Sequence, residues 1–247
     1  MTDLTGRVVA ITGASSGIGE ATALACASAG AAVALAARRA DRLEAVAARI
    51  REAGGTASTR VTDVSDEEQA RAFVEGAHSE HGRLDVLVNN AGVMHLGRIE
   101  GAPTDEWRRM VDVNVMGILY CTHAALPLMT AQGSGDIVMV SSVGGRVTPP
   151  YSGVYCLTKW GIGAFAEVLR KETVGSGVRV IMIEPGRVES ELRTHVRQEV
   201  LEELGPGFAA LVGLDADVVA NAIVYATAQP PNVSFSEILV RPTASAM

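Results

Sequence analysis

The sequence predicts an α/β chain built on one doubly wound, seven-stranded parallel sheet with helices on both faces. Three observations predict it. Short apolar runs recur along the 247 residues and alternate with helical stretches, the pattern of strands joined by right-handed crossovers. Those runs are near-continuous, as strands buried on both faces require. Composition agrees, because 48% of residues are hydrophobic and only 4% aromatic, so aliphatic side chains and alanine must fill the core. An α/β chain of this length is routinely one domain, and one domain over residues 1–247 is expected.

The first strand is expected near 7–12, where Val8-Val9-Ala10-Ile11 runs into Thr12-Gly13-Ala14-Ser15-Ser16-Gly17-Ile18-Gly19. A helix should follow from about Glu20 to Ala29 and stop at Gly30. Strand, glycine-rich turn and helix form the context of a dinucleotide-binding turn. Glycine lets the backbone approach a pyrophosphate, and the helix N-terminus offers N–H groups and a positive dipole end. Gly13, Ser15, Ser16, Gly17, Ile18 and Gly19 are therefore candidate cofactor contacts. The spacing is Gly-x-x-x-Gly-x-Gly, not the Gly-x-Gly-x-x-Gly of many dehydrogenases.

The second strand, expected at 32–37, ends in Ala37-Arg38-Arg39. A carboxylate about 20 residues past the glycines would bind the ribose 2′-hydroxyl of NAD. Arg38 and Arg39 stand there instead, and a guanidinium fork suits a 2′-phosphate, so NADP(H) is the expected cofactor.

Further strands are expected near 57–61, 85–88, 136–141, 178–184 and 236–240. The stretch 186–214 is irregular and carries Gly205-Pro206-Gly207. It follows the sixth strand at the carboxyl edge, where ligands bind in such sheets, and reads as a substrate lid containing a short helix.

Tyr155 and Lys159 stand one helical turn apart, so phenol and ammonium share a face. A tyrosine with a pKa of about 10 is a poor acid at neutral pH, and a nearby cation would pull it down. Ser142 could hold a substrate oxygen beside the phenol. The three together can move a proton on or off a carbonyl or alcohol oxygen.

Asn89-Asn90-Ala91-Gly92 and Pro185-Gly186 complete a set with Thr12–Gly19, Asp63-Val64, Asn114, Ser142, Tyr155 and Lys159. In order and spacing, from Arg7 to about Pro242, the chain resembles the short-chain dehydrogenase/reductase family. The resemblance implies a single-domain Rossmann fold. It implies an adenine ring near Asp63 and Val64, with Asn90, Ala91 and Gly92 beside the adenine-side ribose. Lys159 would hold the nicotinamide ribose and lower the tyrosine pKa, and Tyr155 would be the general acid or base. Ser142 would hold the substrate carbonyl, and Asn114 would position a water leading from Lys159 to solvent. Pro185, Gly186 and Val188 would pack near the nicotinamide. Helices around 103–131 and 152–173, carrying Leu119, Leu126, Phe165 and Leu169, would pair into a homotetramer, a dimer of dimers. The ending Glu237–Thr243 and the stretches Ala36–Arg39 and Gly145–Val147 resemble NADP-dependent members of the serine/3-hydroxy acid and clavaldehyde dehydrogenase type. Cys156 and Trp160, flanking the Tyr155 and Lys159 pair, depart from common family usage and leave the pocket shape open.

A small-molecule carbonyl or alcohol is the expected partner. The formal charge of −7 argues against nucleic acid. Cys26, Cys121 and Cys156 form no Cys-x-x-Cys pair, and the five histidines show no metal-ligand spacing, so no metal is expected. Scattered thiols and the lack of a basic-then-apolar leader fit a cytoplasmic protein. Ala21 to Ala37 is uncharged but reads as a buried helix and strand rather than a membrane span.

Substrate contacts are expected from Val93–Leu96, Val143–Tyr151 and Arg187–Leu211. Val93, Met94, Leu96, Val143, Val147, Pro149, Pro150 and Leu211 would make an apolar wall, and His95 is a further candidate. Arg146, Arg187 or Arg193 could face a substrate carboxylate, or else pair with Glu184, Glu189 or Glu191. The competing reading is a non-catalytic NADP-binding sensor or scaffold of the same fold. A nucleotide-sugar epimerase is disfavoured, because the chain leaves no room for a separate substrate domain.

Overall fold

Each expected apolar run becomes a strand in the computed structural model, which describes residues 2–209 and 212–244. The strands are β1 (Val8–Thr12), β2 (Ala32–Ala37), β3 (Thr56–Val61), β4 (Val86–Asn89), β5 (Gly135–Val140), β6 (Val178–Pro185) and β7 (Glu237–Val240). All pair in parallel, in the order β3-β2-β1-β4-β5-β6-β7. The chain winds outward from β1 through β2 to β3, then returns to place β4 on the other side of β1. That reversal opens a crevice at the carboxyl ends of β1 and β4.

Successive side chains along the strands point to opposite faces, so alternate residues enter different cores. Val9, Ile11, Val33, Leu35, Val86, Val88, Ile181 and Ile183 enter one core, under α1 (Gly17–Ser28), α2 (Ala40–Glu52) and α8 (Ala216–Thr227). Ala10, Ala34, Leu87, Ile137, Met139, Val180 and Met182 enter the other, under α3 (Glu67–His81), α5 (Gly117–Gln132) and α6 (Gly153–Glu172). Each fully buried Val, Leu or Ile contributes roughly 1.5–3 kcal/mol, so the two faces supply most of the driving force.

The amino edge of the sheet is held by charge. Asp136, 1% exposed, accepts from Arg7 Nη2 at 2.7 Å and from Arg179 Nε and Nη2 at 2.5 and 2.8 Å. The far edge of the sheet is thereby fixed while its carboxyl edge stays open to a ligand.

Helix α1 begins at Gly17, three residues before the expected start, because Gly17 enters the helix with φ of +56°. Helix α4 (Thr104–Val111) continues into α5 through a π-helical turn, Asp112–Met116, where the Gly117 N–H reaches back to the Asp112 carbonyl. The run Thr104–Gln132 is long and apolar enough to cross a membrane by length and composition alone. Half of its apolar window is buried inside the chain, as for a core helix.

Between β6 and α8 the chain makes an excursion. Its base is closed by a bridge between Val188 and Leu214, with Leu214 N–H donating to Arg187 O and Glu189 N–H donating to Leu214 O, both at 2.9 Å. The excursion holds a 3-10 turn, Glu191–His195, and α7 (Gln198–Ala209), kinked at Gly205 with φ of 75°. Leu211 and the Arg193 side chain lie outside the described residues.

Candidate active site

A cleft of about 1080 Å³ runs along the carboxyl edge, from the β2 corner to the excursion. Its floor is the glycine turn. Gly13 has φ of +66°, and a Cβ there would stand 2.8 Å from Ala91 Cα. Thr12 Oγ1 accepts from the N–H groups of Asn90 and Ala91 at 3.0 and 3.1 Å, and Asn90 Nδ2 donates to Thr12 O at 2.9 Å. The Asn89–Gly92 stretch is thus stapled to the end of β1. Gly13, Ser15, Ser16, Gly17 and Ile18 line the cleft, as do Asn90, Ala91 and Gly92. Gly19 does not. It is buried behind the turn, where a Cβ would lie 2.3 Å from Gly13 O, so it serves close helix-to-turn packing rather than ligand contact.

At one end Ala37, Arg38 and Arg39 meet Asp63 and Val64. Arg39 reaches over the turn, with Nη2 donating to Ser16 Oγ at 2.8 Å and Ser15 Oγ at 3.1 Å. Its Nη1 pairs with Glu191 Oε2 at 2.7 Å, and Arg42 pairs with the same carboxylate. Asp63 Oδ1 accepts from the Ser65 N–H and hydroxyl. Pro185, Gly186 and Val188 line the opposite wall.

Ser142, Tyr155 and Lys159 converge at the inner part of the same cleft. Ser142 caps a 3-10 turn, accepting from Gly144 N–H at 3.0 Å. Tyr155 and Lys159 are buried on α6. Burial pushes the phenol pKa up, and its hydrogen bond with Ser142 pulls the other way. Lys159 Nζ donates to Val140 O at 2.9 Å and lies 5.8 Å from the phenol ring centroid. Burial brings the lysine down to about 8. Lys159 is not among the protein groups that shift the phenol. Desolvation leads, and the ammonium is turned toward a backbone carbonyl. A phenol kept protonated can donate a proton to an oxygen held by the Ser142 hydroxyl.

Asn114 does not line the cleft. It is fully buried in the π-helical turn, where Oδ1 accepts from Val93 N–H at 2.8 Å and Nδ2 donates to Val93 O at 2.9 Å. It fixes the backbone that follows Gly92, close to Lys159.

Val93, Met94, Leu96, Val143, Val147, Pro149 and Pro150 give the inner cleft its apolar wall. Arg146 is turned elsewhere, onto Glu184 at 2.6–2.9 Å and onto Glu237. Arg187 does line the cleft. His95 faces a small side cavity and stacks on His195, with centroids 5.8 Å apart. The Cys156 thiol donates to Ser152 Oγ at 3.2 Å. Among the described residues no group of three or more His, Cys, Asp or Glu could hold a metal.

Tyr151, Ser190 and Glu191 lie in the stretches expected to line the cleft and do line it, while Val113, Val140, Ser141 and Ser152 line it without having been expected. Tyr151 has φ of +70°, the one positive value among described non-glycine residues, and such backbone costs of order 1–3 kcal/mol. Its carbonyl accepts from Gly97 N–H at 2.8 Å and its hydroxyl from Arg98 at 3.1 Å. No local signal announces that backbone, since Pro149-Pro150 precede Tyr151 and no glycine marks the turn. Ser190 and Glu191 come two and three residues after Val188, inside the Arg187–Leu211 stretch.

The family described as short chain dehydrogenase matches residues 7–201. An uncharacterized oxidoreductase of Staphylococcus saprophyticus is 39% identical over the full length of both chains. The chain is 31% identical to an alcohol dehydrogenase from the archaeon Thermococcus sibiricus, solved with 5-hydroxy-NADP, with a TM-score of 0.87 over 98% of each chain. A closed-form serine dehydrogenase complexed with NADP+ is 27% identical, with a TM-score of 0.87 over 98% of this chain and 97% of its own. With its seven-stranded parallel sheet, its glycine turn and this breadth of matching, the chain belongs to the short chain dehydrogenase family of oxidoreductases.

Proposed function

We propose that this protein is an NADPH-dependent oxidoreductase that reduces a ketone or aldehyde to an alcohol, or runs the reverse, with Tyr155 as proton donor or acceptor. The observation that carries the reading is the shared cleft. Ser142, Tyr155 and Lys159 line its inner part, and the glycine turn and arginine corner line the rest. The residues fit a dinucleotide phosphate. Gly13 and Gly17 leave room where a Cβ would intrude, α1 points its amino end at the turn, and Arg38 and Arg39 offer forks for a 2′-phosphate. NADPH, when bound, supplies the hydride. Tyr155 protonates the substrate oxygen, Ser142 holds that oxygen, and Lys159 binds ribose hydroxyls and favours the phenolate left behind. Asn114 acts through the backbone beneath Gly92 and Val93. The segment 186–214 closes over the substrate, and the site operates in the cytoplasm.

The apolar inner wall favours a neutral substrate with hydrocarbon bulk. A second reading, a 3-hydroxy acid of the serine dehydrogenase or clavaldehyde type, draws on Arg187 at the cleft and the Glu237–Thr243 ending. The test is NADPH oxidation with a panel that pairs a keto acid with its methyl ester. Tyr155→Phe should cost about 10²–10⁴ in kcat on the best substrate while NADPH binding survives. Retention of most of the kcat would overturn the Tyr155 assignment, and no NADPH oxidation across the panel would leave the sensor or scaffold reading standing. A keto acid tenfold better than its ester would select the second substrate class.

A further inference from the structure

The Glu191 carboxylate sits in the arginine corner. It belongs to the 3-10 turn just past the bridge that closes the base of the excursion, yet it pairs with Arg39 at the end of β2 and with Arg42 on α2. The other nitrogens of Arg39 are spent on Ser15 and Ser16. Serine hydroxyls, two guanidinium groups and a bound anion make an anion site, and the anion is one of the protein's own side chains. Arg39 and Arg42 hold the Glu191 carboxyl down to about 2, so it stays charged at any working pH.

We propose that Glu191 sets the strength and selectivity of NADPH binding, because its carboxylate occupies the guanidinium groups that a 2′-phosphate must take over. This rests on the reading of the arginine corner given above. A ribose 2′-phosphate brings up to two charges and three acceptor oxygens to the same forks, so it outcompetes one carboxylate. A ribose 2′-hydroxyl carries no charge and leaves the ion pairs in place. NADPH therefore enters by displacing Glu191 and frees the turn Glu191–His195 from the β2 corner, whereas NADH does not. Part of the phosphate's binding energy goes into breaking the internal pairs.

The experiment is calorimetric titration of the full chain, and of its Glu191→Gln and Arg39→Ala variants, with NADPH, NADH and 2′,5′-ADP. Glu191→Gln should bind NADPH and 2′,5′-ADP about three- to tenfold more tightly, the scale on which exposed ion pairs act, with NADH changed less than about twofold. Arg39→Ala should erase most of the preference for NADPH over NADH. Unchanged or weaker NADPH binding in Glu191→Gln, alongside lost preference in Arg39→Ala, would overturn the displacement and leave the arginine corner intact. If Arg39→Ala keeps the preference, Arg39 is not a phosphate ligand and the displacement falls; if Arg38→Ala combined with Arg39→Ala keeps it as well, the corner is not the phosphate site and the reading beneath it falls too.

Discussion

Lys159 carries its positive charge into a site where only 6% of the residue reaches solvent. Its pKa falls from 10.5 to about 8, a differential of about 3 kcal/mol between protonation states. The sign follows from linkage. Between about 8 and 10.5 the unfolded chain holds a proton that the folded chain has released, so stability rises with pH across that window. Below about 8 the folded chain bears the full cost of the buried ammonium. Lys159→Met should therefore melt at a higher temperature than the unaltered protein at pH 7, and that advantage should shrink as pH climbs toward 10. Cys26 and Cys121, pushed up to about 12 by burial, act in the opposite direction above pH 9. They do so equally in both proteins and cancel in the difference. Thermal melts at half-unit pH steps measure it, and a pH-independent gap would refute the assignment. Ser142, Tyr155 and Lys159 were legible from the sequence because helical spacing and chain order bring them together. Their energetics were not. That Lys159 would turn to Val140 O, and that burial would govern both pKa values, depends on how deep α6 sits against the sheet.

Among the elements, the glycine turn and α1 form a tight joint. A Cβ at Gly19 would meet Gly13 O at 2.3 Å and Asn90 Nδ2 at 2.5 Å. Both belong to the staple that holds β4 to β1, so neither can yield without moving the cleft floor. Gly19→Ala should lower stability by about 1–3 kcal/mol, as overpacking does, and weaken NADPH binding although Gly19 does not line the cleft. Fluorescence titration together with a melting curve checks both, and an unaltered affinity would mean the turn adapts. Strand positions were read from sequence to within a residue or two, and β1, β2, β4, β5 and β6 are the runs buried on both faces. The start of α1 was misread, since Gly17 enters it through left-handed backbone. Tyr151 and Glu191 fell in stretches expected to line the cleft, but the left-handed backbone of the one and the reach of the other to Arg39 and Arg42 were illegible, because both depend on segments distant in sequence.

For the whole molecule, the homotetramer proposed from family resemblance gains a surface and loses a residue. Leu169 is buried in the chain's own core, while Leu157, Trp160 and Val168 stand 62%, 50% and 51% exposed along α6. Apolar side chains of that size on one helix face suit a two-fold contact between identical copies. Light scattering should return about four times 25.7 kDa, and Leu157→Glu with Trp160→Glu should halve it or more. A monomer of the unaltered chain at micromolar concentration would exclude the assembly.

The bridge between Val188 and Leu214 brings the two ends of the excursion side by side before any of its interior is specified. A loop whose mouth is already closed pays little more entropy when its contents lengthen or change. The described residues between Glu189 and Gly213 are in that sense a self-contained insert, whose length and content can change without disturbing the sheet. Ser142, Tyr155, Lys159 and the glycine turn lie outside it, whereas Glu191 lies inside it and yet pairs with Arg39 and Arg42, so a change within the excursion reaches the β2 corner through that one side chain.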